Sequence, residues 1–150
     1  MEQIIALNQK FFSQAVCEKI GYYVYVLINP ITNTIFYVGK GVANRVFEHE
    51  IHAMSTTDKG DKLDIIREIH RNGQTVVHKI LRHGLTQEQA FEIESACIDL
   101  LGLDNLTNVV SGHYSYERGL MSVDEVEQLY AATPVILTEP TVIINTWHCT

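Results

Sequence analysis

A short stretch of the sequence brings together side chains that handle protons and phosphates. Tyr25 and Tyr37 stand in two separate runs of aromatic and β-branched residues, and Lys40 follows the second run. Arg45 and His49 come next, spaced as neighbours on a helix would be. Phosphodiester chemistry uses these residue types: a proton acceptor, a fixed cation that holds the phosphate, and a second group that moves a proton. The stretch therefore indicates a nuclease.

A carboxylate on an apolar helix face is the second chemical signal. Residues 86–101 predict a helix that begins in a capping-box pattern at Thr86. Glu94 falls between Ala90 and Cys97, inside the apolar stripe of that helix. A carboxylate there is costly unless it is paired or bound to a cation. Two interpretations stay open: a salt bridge to a Lys or Arg of the central third, or a ligand for a hard divalent cation such as Mg²⁺.

Hydrophobic periodicity indicates the elements that must position these groups. Aromatic and β-branched runs predict strands, and turn residues between the first two strands predict a β-hairpin. Strands that alternate with helices indicate an α/β (α+β) domain with a small three-stranded antiparallel or mixed sheet flanked by helices. An extra N-terminal helix and a C-terminal helix plus strands complete the prediction. The predicted helices are residues 4–19, 42–53, 61–71, 86–101 and 122–131, and the predicted strands are residues 22–29, 34–38, 75–81, 135–137 and 141–144.

The predicted helix over residues 42–53 places a polar stripe beside a flexible turn. Arg45, His49 and His52 recur at helical spacing and share one face if the segment is helical throughout. The Gly39–Gly41 turn just before it allows a close approach of backbone. A solvated polar face is the alternative interpretation of this stripe.

Composition and length favour one domain over residues 1–150, with core motifs at 22–110 and an extension at 111–150. No run approaches the roughly 18 apolar residues of a membrane span, and the N-terminus has no signal-peptide pattern. The cysteines are three, far apart and in no metal spacing. We therefore expect a reduced setting, cytoplasmic or nuclear, and no membrane partner.

The net charge of −7 argues at first against a nucleic-acid partner. The distribution of the charge weakens that objection, because residues 40–82 hold eight of the eleven Lys and Arg residues and a net charge of +2. Residues 83–150 carry a net charge of −9, which we interpret as a solvated surface. The basic groups thus accompany the tyrosine, arginine and histidine residues.

The ordered set of motifs resembles the GIY-YIG nuclease superfamily. Tyr23-Val24-Tyr25 and Tyr37-Val38-Gly39 look like its two tripeptides, with Tyr23 in place of the usual first glycine. Arg45, His49, Glu94 and Asn108 follow in the family's order, and the resemblance covers roughly residues 22–110. The segments most similar to the branch of animal LEM-domain, ankyrin-repeat nucleases and bacterial relatives are 38–41, 45–49 and 82–86.

This resemblance implies a metal-dependent endonuclease that hydrolyses phosphodiester bonds in DNA, including branched or flap structures, and leaves 5′-phosphate and 3′-hydroxyl ends. It implies Mg²⁺ as cofactor, with Mn²⁺ as a substitute. In the implied roles, Tyr25 is the general base or positions water, Tyr37 makes the hydrogen bonds of the site, and His49 orients Tyr25 or accepts its proton. Arg45 binds the phosphate, Glu94 binds the metal and Asn108 braces the site. Lys40 is an alternative base, and Lys40, Arg45, Lys62, Arg67 and Arg71 are the expected nucleic-acid contacts.

Two other functions stay open. A ribonuclease that attacks structured RNA, for instance a toxin, would use the same residues. A non-cleaving nucleic-acid-binding or protein-interaction domain could keep the fold, although a dead site has no need of a carboxylate on an apolar stripe. The general base and the oligomeric state are not fixed by the sequence.

Overall fold

The computed structural model describes residues 10–112 and 114–132. These residues form three strands, of which the first two are consecutive, together with six helices and two short 3-10 turns. The helices are α1 (Gln14–Lys19), α2 (Glu48–Ser55), α3 (Asp61–Arg71), α4 (Gln87–Leu101), α5 (Ser115–Arg118) and α6 (Val123–Ala131); the strands are β1 (Tyr22–Asn29), β2 (Thr34–Gly41) and β3 (Val77–Leu85); the 3-10 turns are Arg45–Phe47 and Leu103–Asn105.

The three strands form one antiparallel sheet in the order β2-β1-β3. The β1–β2 hairpin pairs Leu27 with Tyr37 and Tyr25 with Gly39, and a bulge follows Leu27. The prediction of a small three-stranded sheet flanked by helices is confirmed, with antiparallel pairing throughout. Because β1 is central, its residues are the most completely buried part of the sheet.

Alternate residues of β1 enter two separate cores, as the period of a strand requires. Tyr23, Tyr25 and Leu27 belong to an aromatic core with residues of α2 and α3. Val24 and Val26 belong to an aliphatic core with residues of β2 and α4. We call these two sides the tyrosine face and the α4 face of the sheet.

The predicted helix over residues 4–19 is wrong over residues 10–13 and is confirmed over residues 14–19. Residues 10–13 are not helical, and α1 begins at Gln14, after Ser13, whose hydroxyl accepts the Val16 N–H. The tertiary contacts of Phe12 explain the late start, because its N–H donates to Asn44 Oδ1 at 2.7 Å. Residues 4–9 lie outside the described residues.

The predicted helix over residues 42–53 is also wrong at its beginning. Residues 42–44 are not helical, Ala43 has a φ of 47°, and a 3-10 turn leads into α2. The Tyr23 hydroxyl fixes this path, since it donates to the Ala43 carbonyl at 2.8 Å and accepts the Val46 N–H at 3.0 Å. The polar stripe is therefore not one face: His49 is buried, while Arg45 is exposed.

Two strand boundaries also differ from the prediction. β2 continues to Gly41, so Gly39 lies inside the strand and not in a turn. β3 covers Val77–Leu85, whereas the pattern predicts residues 75–81, because its pairing with β1 continues to Tyr22 opposite Leu85.

The remaining helices follow the sequence pattern. α3 occupies its predicted range, and α4 and α6 begin with the capping boxes expected at Thr86 and Ser122. The short helix α5 and the 3-10 turn Leu103–Asn105 have no counterpart in the prediction from sequence. The predicted strands at 135–137 and 141–144 lie outside the described residues.

The chain divides into two compact units, and the boundary in the sequence falls between Leu120 and Met121. The first contains the sheet and α1 to α5, and the second contains α6. One domain over residues 1–150 stays a prediction. Among the described residues, no helix has the length and apolar character needed to cross a membrane.

Candidate active site

Two tyrosines lie over a glycine on the tyrosine face of the sheet. The ring centroids of Tyr25 and Tyr37 are 6.2 Å apart. A Cβ atom on Gly39 would lie 2.8 Å from the Tyr25 hydroxyl and 2.8 Å from Tyr37 Cε1, closer than real Cβ contacts. Glycine is therefore required where the rings cross β2.

His49 completes this aromatic cluster from α2. Its ring lies 4.8 Å from the Tyr37 ring in an edge-to-face contact and 6.4 Å from the Tyr25 ring. Burial, with the nearby charges of Lys62 and Arg45, lowers the pKa of His49 to about 3. Its Nε2 has no hydrogen-bond partner among the described residues. The ring is neutral at physiological pH and is held by packing.

Burial also sets the protonation state of the two tyrosines. It raises the pKa of Tyr25 above the ordinary value for a phenol, and the neighbouring Tyr37 raises it further. Burial raises the pKa of Tyr37 as well, with Glu94 as the next cause. The positive charge of Arg45 opposes both shifts. Both hydroxyl groups therefore keep their protons at neutral pH, and they can donate hydrogen bonds.

Arg45 extends from the 3-10 turn at the mouth of this cluster. Its side chain is 48% exposed and forms an ion pair with the exposed Glu48. A surface ion pair of this kind is weak, so a phosphate could replace Glu48 as the partner. The guanidinium acts electrostatically on Tyr25, Tyr37 and His49. It is thus the cation that the cluster presents to solvent.

Lys62, which the sequence predicts only as a nucleic-acid contact, is a neighbour of this site. Its Nζ lies 4.0 Å from the centre of the Tyr37 ring. Burial, with the charge of Arg45, lowers its pKa to about 8. One signal could have found it: Lys62 continues the apolar stripe of Ile66 and Ile69 on α3. A lysine in this state is neutral in a useful fraction near physiological pH.

Glu94 reaches the same place from the other side of the sheet. Its Oε1 accepts the Lys40 N–H at 3.0 Å, and its charge raises the pKa of Tyr37. Burial raises the pKa of Glu94 itself, and Lys40 opposes this. In the described part of the chain Glu94 has no salt bridge, so that alternative is not observed there.

The donor set around Glu94 fits a hard divalent cation with few protein ligands. Among the described residues, the Glu94 carboxylate accepts one hydrogen bond, through Oε1, and a half-buried carboxylate with little compensation favours a bound cation. Mg²⁺ in phosphate-processing sites takes one or two carboxylates and completes its shell with water and phosphate oxygens. Within residues 10–112 and 114–132, no group of three or more His, Cys, Asp or Glu side chains could hold a metal.

Lys40 points its charge toward α4. Its Nζ lies 3.9 Å from the centre of the Phe91 ring, one turn before Glu94 on that helix. Its backbone N–H holds the Glu94 carboxylate. This placement associates Lys40 with the carboxylate and Lys62 with the tyrosines.

Asn108 fastens the loop after α4 to the exposed edge of β2. Its Oδ1 accepts the Val38 N–H at 3.1 Å, and its Nδ2 donates to the Val38 carbonyl at 2.7 Å. Thr107 adds backbone and side-chain hydrogen bonds to the Phe36 carbonyl. The loop thereby holds β2, which carries Tyr37 and Lys40 on either side of Val38.

The other two predicted nucleic-acid contacts, Arg67 and Arg71, also lie on α3. Arg67 donates to the carbonyls of Ala53 at 2.9 Å and Thr56 at 3.0 Å, and it pairs with Asp64. These contacts tie α3 to α2. Arg71, at the end of α3, is exposed.

Comparison with known proteins identifies the family. The LEM-3-like GIY-YIG domain family matches residues 22–133. The ankyrin repeat and LEM domain-containing protein 1 homolog of Caenorhabditis elegans is 31% identical over 96 residues, which is 58% of this chain and 13% of that protein. The chain therefore spans only a small part of the length of this relative. No solved structure matches significantly. The predicted resemblance is confirmed, and the chain belongs to the LEM-3-like GIY-YIG domain family, a nuclease family.

Proposed function

We propose that this nuclease domain is a metal-dependent endonuclease that cleaves branched or flap DNA and leaves 5′-phosphate and 3′-hydroxyl ends. The convergence of Glu94 and Arg45 on Tyr37 carries this proposal. The carboxylate comes from α4 and the guanidinium from the turn before α2, and both charges act on the pKa of the same phenol. A cation-binding carboxylate and a phosphate-binding cation on either side of a proton-bearing hydroxyl suit phosphodiester hydrolysis.

The exposed guanidinium of Arg45 would bind the scissile phosphate and stabilise the charge that develops in the transition state. Tyr25 and Tyr37, which retain their protons, would donate hydrogen bonds that orient the attacking water or a phosphate oxygen. Neutral Lys62 is then the best proton acceptor in the cluster, since its pKa of about 8 lies near the operating pH. His49 would hold the phenol rings in place.

Glu94 is the residue that would hold the cation, with Mg²⁺ or Mn²⁺ supplying Lewis-acid stabilisation of the phosphate and the leaving oxygen. The Lys40 N–H orients the carboxylate by occupying Oε1. Asn108 would maintain this arrangement by fixing β2, whose Val38 it binds on both backbone groups.

The choice of DNA as substrate rests on the family and on charge. Lys40 and Arg45 give the site region positive charge in a chain of net charge −7, and phosphate contacts dominate nucleic-acid affinity. Branched DNA is proposed from the resemblance to the LEM-domain branch. RNA cleavage and binding without cleavage are the outcomes that would replace this proposal.

The decisive experiment compares Glu94→Gln with Glu92→Gln. Both variants remove one carboxylate from α4, but Glu92 is exposed and pairs with Arg118 on the outer surface. Each protein is incubated with a four-way junction, a flap, linear duplex DNA and a structured RNA, with and without Mg²⁺. We expect Glu94→Gln to lower junction cleavage by about 1,000-fold, because it removes the carboxylate that would hold the charge-stabilising cation, while Glu92→Gln cleaves like the wild type.

The product ends distinguish the proposed chemistry from other routes. A DNA ligase joins only ends that carry a 5′-phosphate and a 3′-hydroxyl. We therefore expect the annealed cleavage products to be ligated without any prior treatment of their ends. Equal cleavage by both variants would contradict the assignment of Glu94. Cleavage of the RNA alone would move the function to a ribonuclease, and binding without cleavage under any condition would move it to a binding domain.

A further inference from the structure

Glu50 joins three elements behind the aromatic cluster. It follows His49 on α2, and its Oε1 lies 2.6 Å from His70 Nε2 on α3. The same oxygen accepts the Val76 N–H before β3 at 3.3 Å. Its Oε2 lies 3.5 Å from His78 Nε2 on β3. One carboxylate therefore connects α2 with both elements that flank it.

These contacts are largely withdrawn from solvent. The exposed fractions are 17% for Glu50, 13% for His70 and 16% for His78. Removal of one partner from such a group leaves a buried polar atom unpaired, which is more costly than the loss of a surface pair. The helix α2 is thus held in one rotation about its axis by polar contacts that solvent does not readily replace.

A second His–carboxylate pair on the same helix provides a contrast. His52 Nε2 lies 2.7 Å from Asp58 Oδ2, but the two side chains are 47% and 63% exposed. Asp58 lies in the loop that follows α2 and contacts neither α3 nor β3 through this pair. It resembles the Glu50 pair in chemistry and differs from it in burial and in what it connects.

The site depends on the rotation of α2 because no side-chain hydrogen bond to Nε2 fixes His49 in the described part of the chain. Its ring is placed by packing against Tyr37 and Tyr25. We propose that Glu50 is a positioning residue for the active site: by tying α2 to His70 and to the Val76 N–H, it fixes the helix rotation that sets the His49 ring against the two tyrosines. This inference rests on the proposed endonuclease function.

The groups that face Glu50 define what its removal should change. His70 contacts it from α3 and His78 from β3, and the charge of Lys10 also acts on His78. Burial lowers the pKa of His78, while the Glu50 carboxylate raises it. Loss of that carboxylate should therefore lower the pKa of His78 further.

The test compares Glu50→Gln with Asp58→Asn in the full chain, on a four-way junction with Mg²⁺. We expect Glu50→Gln to lower kcat by about 10-fold to 100-fold, the range that a small misplacement of catalytic groups produces, with little change in KM. Asp58→Asn should retain the wild-type kcat. Because the effect passes through His70, Glu50→Gln combined with His70→Gln should lose little more than Glu50→Gln alone.

NMR of the aromatic side chains supplies a measurement that does not require cleavage. In Glu50→Gln, the ring signals of His49 and Tyr37 should shift and the NOE between them should weaken, whereas Asp58→Asn leaves both unchanged. If Glu50→Gln does not fold, His70→Gln, which removes the 2.6 Å contact and leaves the Glu50 carboxylate in place, is measured in the same way.

Unmoved ring signals would overturn the inference, as would a loss of kcat that only matches the loss of folded protein. A wild type that does not cleave any nucleic acid would refute the endonuclease proposal instead. In that case the ring signals still decide whether Glu50 positions His49.

Discussion

The tyrosine face and the α4 face of the sheet share one central strand and differ in almost every physical respect. Tyr23 and Tyr25 bring hydroxyl groups into an aromatic core that also contains His49. Val24 and Val26, on the opposite side of the same strand, bring only aliphatic groups to α4. The period of two in β1 thus separates residues that carry chemistry from residues that hold the fold.

The aliphatic side nevertheless contributes one polar group to the site. Glu94 lies on α4, and it reaches the edge of β2, where the outward N–H of Lys40 binds it. The two faces meet only at such an edge, because a paired central strand has no free N–H to offer. The comparison teaches that the chemistry of this domain is localised at the β2 edge, not on a whole face.

The largest expected effect follows from removing Arg45, the exposed cation of the tyrosine face, and it would sharpen this comparison. Arg45→Ala should lower kcat by about 1,000-fold, because a phosphate-binding charge acts mainly in the transition state. Arg71→Ala removes an exposed arginine from α3 and should change salt-dependent KM more than kcat. Single-turnover cleavage of a junction measures both. Equal effects on kcat would show that Arg45 only attracts DNA.

A pair of neighbouring substitutions tests whether the two faces are separable. Gly39→Ala inserts a methyl group between the rings of Tyr25 and Tyr37 and should lower kcat by about 100-fold. Val38→Ala removes buried methyl groups from the α4 face and should instead lower the free energy of unfolding by about 2 kcal/mol. Denaturant unfolding and kcat per folded molecule are compared. The separation of faces fails if both variants lose kcat equally.

The buried imidazole makes the tyrosine face sensitive to acid. His49 has a pKa of about 3 in the folded chain and about 6.5 when unfolded. Between these values the unfolded chain binds a proton that the folded chain does not, so stability falls as the pH falls below about 6.5. The expected loss from pH 7 to pH 5 is about 2 kcal/mol.

Urea unfolding at the two pH values measures this loss, and His49→Gln is the comparison. That variant should be less stable at pH 7 and should lose less stability on acidification. An identical pH dependence in both proteins would assign the acid sensitivity to other groups, for example His78, whose pKa burial also lowers.

The smallest expected effect concerns Lys62. If its neutral form accepts the proton, kcat should rise about tenfold per pH unit below pH 8 and level off above it, since the fraction of neutral lysine rises in that range. If Lys62 instead binds phosphate as a cation, cleavage should fall above pH 8. The pH profile of kcat for the wild type and for Lys62→Met separates the two roles.

Local patterns sufficed to predict the hairpin, the capped helix α4 and the position of Glu94 in its apolar stripe. These features depend on spacing within one element, which a sequence displays directly. The prediction that Arg45 and His49 share one helix face is wrong for a non-local reason. The Tyr23 hydroxyl binds backbone groups of Ala43 and Val46 and prevents a helix there.

The place of Lys62 shows the same limit. Its position on the apolar stripe of α3 was visible, but its contact with the Tyr37 ring depends on how α3 packs against the sheet. The stripe indicates that Lys62 is partly buried, but nothing at its own position in the sequence identifies the Tyr37 ring as its neighbour. Residues brought in by packing are thus the ones that pattern reasoning omits.

The hydrogen bonds of Asn108 have a consequence for self-association. Its side-chain amide pairs with both backbone groups of Val38, as a residue of a fourth strand would. An unpaired strand edge is a template for pairing with another chain, and this amide occupies the middle of the β2 edge. Asn108→Ala should therefore uncover a surface that recruits a second molecule, so that loss of one amide would appear as aggregation rather than as unfolding.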